Sequence, residues 1–240
     1  MDPDTKFGET NVDGVVRESA YNAAETLEEG DTRLGFLKKA GLAGGAVVGG
    51  GALLGALTAA PGMAAGKGRP PASFGKGDVG ILNFALTLEY LEAAFYNEAT
   101  ANQAKSSFIK DKQTLVFLKT TTRDENAHVA YLKKALGSKA VAAPKVDFGG
   151  TTSSESAFVQ TAVALENTGV HAYSGQALNI ASPANVAAAL SILTIEARHA
   201  SVIGLIAKNS PKGISPDGPF DTPFTADEVL KAVGATGFLK

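Results

Sequence analysis

The chain has no cysteine and no tryptophan, and only three histidines among its 240 residues. The missing thiols exclude disulfide scaffolds, zinc fingers, iron–sulfur clusters and thiol catalysis in one stroke. They leave the redox compartment open. Charge of one sign is also scarce, with 22 basic and 24 acidic residues and a formal net charge of −2. A nucleic-acid binder needs a basic footprint to displace counterions, and this chain has none, so no nucleic-acid partner is expected. With so few imidazoles, any metal site must draw mainly on carboxylates.

What is present is distributed unevenly. Residues 1–31 contain nine acidic residues against Lys6 and Arg17, a local charge of −7 with few large apolar groups. Such a leader is expected to be solvated and disordered. From Pro70 onward the basic and acidic residues balance at 15 each. Between these parts, Arg33-Leu34-Gly35-Phe36-Leu37-Lys38-Lys39 precedes an uncharged stretch, Ala40–Gly66, in which nine of 27 residues are Gly. A bilayer span needs about 20 apolar residues, so this stretch is long enough to cross. Its glycines and alanines make it only weakly hydrophobic. A basic flank, a weakly apolar segment and small residues such as Gly62-Met63-Ala64 form the layout of a secretory signal. Arg33, Gly35, Phe36, Leu37 and Lys38 resemble the twin-arginine export signal, with Leu34 where that pattern has its second arginine. Segment 32–69 is therefore read as an export signal. A membrane anchor of another kind and a plain linker are the alternatives. The first reading implies the export machinery as a partner and a location in the cell envelope or outside the cell; it is compatible with membrane anchorage.

From Asp78 the hydrophobic period is helical, and no stretch alternates long enough for a strand, so residues 70–240 are expected to be all-α. Four long helices are predicted, over 78–101, 111–136, 154–179 and 183–208. Asp78 and Asp111 are candidate caps, Thr152-x-x-Glu155 reads as a capping box, and Ser182-Pro183 sets a cap before a proline at the first helical position. Lys208-Asn209-Ser210-Pro211 is a stop. Three residues between helices three and four force an antiparallel hairpin, and about nine between helices one and two also suit a reversal. About 17 residues between helices two and three, at up to about 3.3 Å each, can run the length of a bundle. Two antiparallel hairpins joined by one long crossover are thus favoured.

The inward stripe predicted for helix two is Leu115, Leu118, Thr122, Glu125, Val129, Leu132 and Leu136, with His128 facing the same way. Helix four repeats it with Ile192, Glu196, His199, Ile203 and Ile206. A carboxylate in an apolar row costs several kcal/mol unless it is paired or coordinated. Helices one and three each add an inward Glu with a Tyr seven residues later: Glu89 with Tyr96, and Glu166 with Tyr173. One Glu from each of two helices and Glu-x-x-His from each of the other two form the pattern of a carboxylate-bridged dinuclear centre in a bundle core. Two divalent ions carry +4 and four glutamates −4, so the buried assembly is neutral. Oxygen-rich ligation with one imidazole per ion suits two Fe or two Mn ions. Glu92, one turn from Glu89, competes with it as a ligand. His171 points elsewhere and reads as structural or surface, and Arg198 as a surface or supporting cation.

With these four motifs in order, the chain resembles the ferritin-like superfamily, in particular exported bacterial ferritin-like domain proteins of the desiccation-related branch. The resemblance covers about 78–208 and extends to the tail Phe220-Asp221-Thr222-Pro223-Phe224-Thr225. A short helix follows, in which Thr225-x-x-Glu228 can form a capping box and Val229, Leu230 and Val233 can dock. The resemblance implies a left-handed four-helix bundle with its crossover between helices two and three. Many di-iron relatives place an Asp before each Glu of Glu-x-x-His to orient the imidazole of the other helix. Asp124 fits this role, whereas Ile195 stands in the corresponding place on helix four. The implied activity is oxidase or peroxide-scavenging chemistry on dioxygen or peroxide, by a chain that is compatible with a homodimer. The alternative is a non-enzymatic stress or desiccation protein of the cell envelope that keeps the bundle and binds metal weakly or structurally.

Overall fold

A computed structural model describes residues 68–207 and 213–240. The acidic leader, segment 32–69 apart from its last two residues, and the Lys208–Pro211 stop lie outside the described residues. Four long helices are present: α1 (Gly77–Ser106), α2 (Lys112–Leu136), α3 (Glu155–Gln176) and α4 (Pro183–Ile206), followed by the short α5 (Ala226–Thr236). At 1.5 Å per residue, the 30 residues of α1 extend about 45 Å. Among the described residues the only strand-like pairing is one antiparallel bridge, Val146 with Leu239.

Helices α1 and α2 form one hairpin and α3 and α4 the other; α1 also faces α3, and α2 faces α4. Cross-bundle contacts fix the directions. Tyr96 of α1 reaches Glu166 of α3, while Glu89 meets Tyr173, so these helices are antiparallel. Because α2 is also antiparallel to α1, helices α2 and α3 point the same way and the connection between them runs the length of the bundle. The expected crossover is therefore present. It is pinned by the chain's end, where Asp147 N–H donates to the carbonyl of Phe238 and Lys240 N–H to that of Lys145. Its start is held by the buried Asn83, whose amide donates to the carbonyls of Phe74 and Lys139 and whose oxygen accepts from Val141 N–H.

The helix starts required correction at two of the expected caps. Asp111 does cap α2, accepting from Thr114 N–H at 2.8 Å, and Thr225 and Glu228 do form a capping box on α5. Asp78, however, lies inside α1, which begins at Gly77. Its carboxylate crosses to the start of α4, accepting from Ala181 N–H, Ser182 N–H and the amide of Asn185. Ser182 keeps the cap position with Pro183 behind it, but Asp78 supplies the acceptor. Thr152 and Glu155 form no capping box, since Ser154 holds the cap position. Glu155 instead accepts from Lys110 and Asp111 N–H at 3.0 Å, and the Thr152 hydroxyl donates to Glu98. Helix α1 also runs to Ser106 rather than 101, where Ser107 turns the chain at φ 49°.

The core has two apolar blocks. One packs Phe95, Tyr96, Phe117, Phe158 and Ile203 together; the other packs Leu86, Leu132, Leu136, Tyr173 and Ile192. On α2 and α4 the Glu-x-x-His motifs fall between the two blocks. The buried stripe of α2 lies slightly around from the expected one: Thr114, Phe117 and Thr121 are buried, while Leu115, Thr122 and Val129 are half-buried. On α4 the expected stripe is buried through Ile203, with Ile206 half-buried. Val229 and Val233 dock α5 as expected, with Leu230 half-buried beside them.

Candidate metal centre

Glu89, Glu125, Glu166 and Glu196 are each 0% exposed, and His128 and His199 are 9% and 6% exposed. Each carboxylate was placed there by helical spacing, because a residue three or four positions from an inward apolar residue shares its face. The two imidazoles organise the cluster. His128 Nδ1 lies 3.2 Å from Glu89 Oε2, from Glu125 Oε2 and from Glu196 Oε1. His199 Nδ1 lies 3.1 Å from Glu125 Oε1 and 3.3 Å from Glu166 Oε2.

These contacts resolve into two overlapping sets. Glu89, Glu125, His128 and Glu196 form one, and Glu125, Glu166, Glu196 and His199 the other, each with its ligand atoms within 4.8 Å of one another. Glu125 and Glu196 belong to both sets, which is the placement of bridging carboxylates. Glu89 and Glu166 belong to one each.

The donor atoms fit a pair of cations. Glu125 Oε1, Glu166 Oε2, both oxygens of Glu196 and His199 Nδ1 are buried without a hydrogen-bond partner. Buried acceptors turned toward one another repel, and a polar group deprived of water costs free energy unless something replaces the water. Cations between these atoms would satisfy all of them.

Charge in the metal-free cluster is redistributed accordingly. Burial, then the Glu125 charge, pushes the Glu89 carboxyl up to about 8. Burial also holds Glu166, Glu196 and Glu92 above the usual carboxylate range. Burial would disfavour imidazolium, but the Glu125 and Glu166 carboxylates outweigh it and push His199 up to about 11. His128 is raised for the same reason by Glu125, Glu196 and Glu89. Glu125, buried but hydrogen-bonded by His128 and with the His199 imidazole 3.1 Å from its other oxygen, falls to about 2.

Tyr96, Tyr173 and Asp124 each contact a residue of the cluster. Tyr173 donates to Glu89 Oε1 at 2.5 Å and Tyr96 donates to Glu166 Oε1, so each tyrosine orients the glutamate of the opposite hairpin. Burial, then the Glu166 and Glu89 charges respectively, pushes the Tyr96 and Tyr173 phenols well above their ordinary value, so both remain proton donors. Asp124 Oδ2 meets His199 Nε2 at 3.2 Å and is itself held by Arg123. Ile195 offers His128 no such partner.

Glu92 is buried but belongs to neither ligand set. It stands over Gly169: a Cβ built there would come within 3.3 Å of Glu92 Oε1 and 2.8 Å of Glu196 Oε2. His171 serves the tail, lying 3.1 Å from Asp217 and 4.3 Å from the Phe224 ring. Arg198 is exposed and makes no ion pair among the described residues. Sequence reasoning missed Thr121, which is 0% exposed with an unpartnered hydroxyl; an inward Thr between Phe117 and Glu125 was the available signal.

Four helices in two antiparallel hairpins around a buried carboxylate–histidine cluster define a metal-binding helical-bundle protein. The ferritin-like domain pattern matches residues 77–209. The chain belongs to the ferritin-like domain family. No curated protein sequence matches it.

Proposed function

We propose that this chain is an exported protein with a carboxylate-bridged centre of two Fe (or Mn) ions that reacts with dioxygen or peroxide. The observation that supports this reading is the convergence of four glutamates and two histidines from four helices, with buried donor atoms left unpartnered at their centre. Glu125 and Glu196 would bridge, Glu89 with His128 would complete one ion's shell, and Glu166 with His199 the other's. When bound, two such ions supply one electron each to an O–O bond. The chain's own part is to hold Glu89 and Glu166 in place through Tyr173 and Tyr96, and to fix the His199 ring through Asp124. The two apolar blocks close the cluster off above and below along the bundle. Export is supported by the layout of segment 32–69 and its resemblance to the twin-arginine signal.

One observation favours the second reading, a non-enzymatic envelope protein for stress or desiccation: Ile195 leaves His128 without an orienting acid. Loss of such a partner typically costs about 10- to 100-fold in metal affinity or activity. Consumption of dioxygen and of hydrogen peroxide by Fe(II)-loaded protein separates the readings. Turnover in the wild type, absent in Glu125→Ala/His128→Ala, is expected. A wild type that retains its metal and consumes neither oxidant would establish the structural role instead.

A further inference from the structure

Between α2 and α4 lies an open groove of about 610 Å³, within the size range of pockets that hold drug-sized organic molecules. Its walls are apolar, with Val116 from α2 and Val202 and Leu205 from α4. These three are 67%, 46% and 50% exposed, so the groove holds large apolar side chains in water. Single exposed apolar residues need no explanation, but a contiguous set lining one concavity marks a binding surface.

The floor of the groove is polar and adjoins the metal cluster. Asp124 and His199, joined to each other at 3.2 Å, both line it. Thr121 lines it too, and its hydroxyl is buried with no partner. Other helical threonines satisfy theirs on the preceding turn: Thr87 donates to the carbonyl of Asn83, Thr122 to Leu118 and Thr168 to Ala164. Thr121 does not, which leaves one buried donor free at the groove's floor. At the rim, away from the cluster, stands Lys112, the first residue of α2, exposed and without an ion pair among the described residues.

We propose that this groove binds an amphipathic organic anion and delivers it to the metal centre as substrate. Its carboxylate pairs with Lys112 at the rim. Its apolar body lies along Val116, Val202 and Leu205, and a hydroxyl or carbonyl at its inner end meets Thr121 beside His199. The charge at the rim, the apolar walls and the single donor at the floor together select this ligand over a neutral hydrocarbon or a bare anion. As a statement about substrate, it rests on the metal-centre reading above.

The test is calorimetric titration of the full chain with decanoate, ω-hydroxydecanoate and decanol, with metal content measured on the same samples. Expected are saturable binding of one decanoate per chain and tighter binding of ω-hydroxydecanoate. Lys112→Glu, at an exposed position, should weaken decanoate by about tenfold and leave decanol unchanged. Thr121→Val should abolish the preference for the hydroxylated ligand. No saturable decanoate binding, or binding indifferent to both Lys112→Glu and Val202→Glu, would overturn the proposal. Self-association lost in Val202→Glu, with no decanoate bound, would give the groove to a second copy of the chain and also overturn it. Metal retained without decanoate binding defeats only this inference. Decanoate binding to a chain that retains no metal defeats the metal reading, and with it the ligand's role as substrate.

Discussion

The two halves of the cluster are near copies of one another, and their differences are more instructive than their likeness. Each hairpin contributes a Glu with a Tyr seven residues on, then a Glu-x-x-His. Glu89 matches Glu166, Tyr96 matches Tyr173, and Glu125 with His128 matches Glu196 with His199. The correspondence fails at two positions beside the cluster. Asp124 backs His199, while the residue at the corresponding place before Glu196 is Ile195. Glu92 fills the space over its own counterpart, Gly169, which has no side chain to oppose it. The half around His199 is therefore braced, and it is also the half that opens to the α2–α4 groove. The half around His128 has no such brace, and the additional carboxylate of Glu92 lies beside the shared Glu196. On the proposed two-ion reading, the two ligand sets should therefore differ in affinity.

The largest test of this comparison removes a shared ligand against an unshared one. Glu125→Ala should abolish binding of both ions, whereas Glu166→Ala should remove one and spare the site around His128; metal stoichiometry by mass spectrometry reads the difference. Equal losses in the two variants would contradict the bridging assignment. Next in size is the brace itself. Asp124→Leu should weaken the His199 half by about 10- to 100-fold, and Ile195→Asp should strengthen the His128 half, narrowing the gap between two measured dissociation constants.

Proton linkage gives a third test, with opposite signs for the two forms of the protein. Glu89 is raised from 4.5 to about 8 in the metal-free fold, so its contribution to stability is complete below 4.5 and is lost as pH rises through 8. His199, raised from 6.5 to about 11, adds a loss that extends to higher pH. The metal-free protein should therefore melt at progressively lower temperature as pH rises from about 5 to 8. Ligands must shed these protons to bind a cation, so metal affinity, and the stabilisation that metal confers, should rise over the same interval. Melting curves with and without Mn(II) would show the divergence; parallel trends would contradict it.

Two smaller effects test the crowding and the tyrosines. Gly169→Ala places a methyl 2.8 Å from Glu196 Oε2 and should cost about 1–3 kcal/mol of stability by overpacking, as measured by denaturant unfolding. Tyr173→Phe removes the hydrogen bond to Glu89 and should cost about 1 kcal/mol. Because Tyr173 acts through Glu89, that loss should be accompanied by weaker binding in the His128 half alone.

Much of this was legible before any coordinates. Helical period located all four long helices, and shared helical faces gathered Glu89, Glu125, His128, Glu166, Glu196 and His199, because i, i+3 and i, i+7 spacing is local information. The 17-residue connection pointed to the crossover by length alone. What escaped was relational. Asp78 looks like the cap of its own helix and is the acceptor for another's, since an N–H seeks the nearest carboxylate in space rather than in sequence. Thr152 and Glu155 have capping-box spacing, but Glu155 found two backbone donors on the α1–α2 connection. The Glu–Tyr spacing is visible in the sequence, yet only the antiparallel packing of α1 on α3 shows that each tyrosine serves the opposite hairpin's glutamate. The groove over Thr121 was invisible, because a concavity between two helices has no signature in either one.

The central claim is that this cluster holds two ions bridged by Glu125 and Glu196. Metal analysis of the purified full-length chain beside Glu125→Ala/His128→Ala tests it most directly. The account predicts about two Fe or Mn per wild-type chain, as four carboxylates and two imidazoles require, and none in the variant. A wild type that is metal-free as purified, takes up no Fe(II) or Mn(II) when these are supplied, and is as stable without them as with them would contradict it.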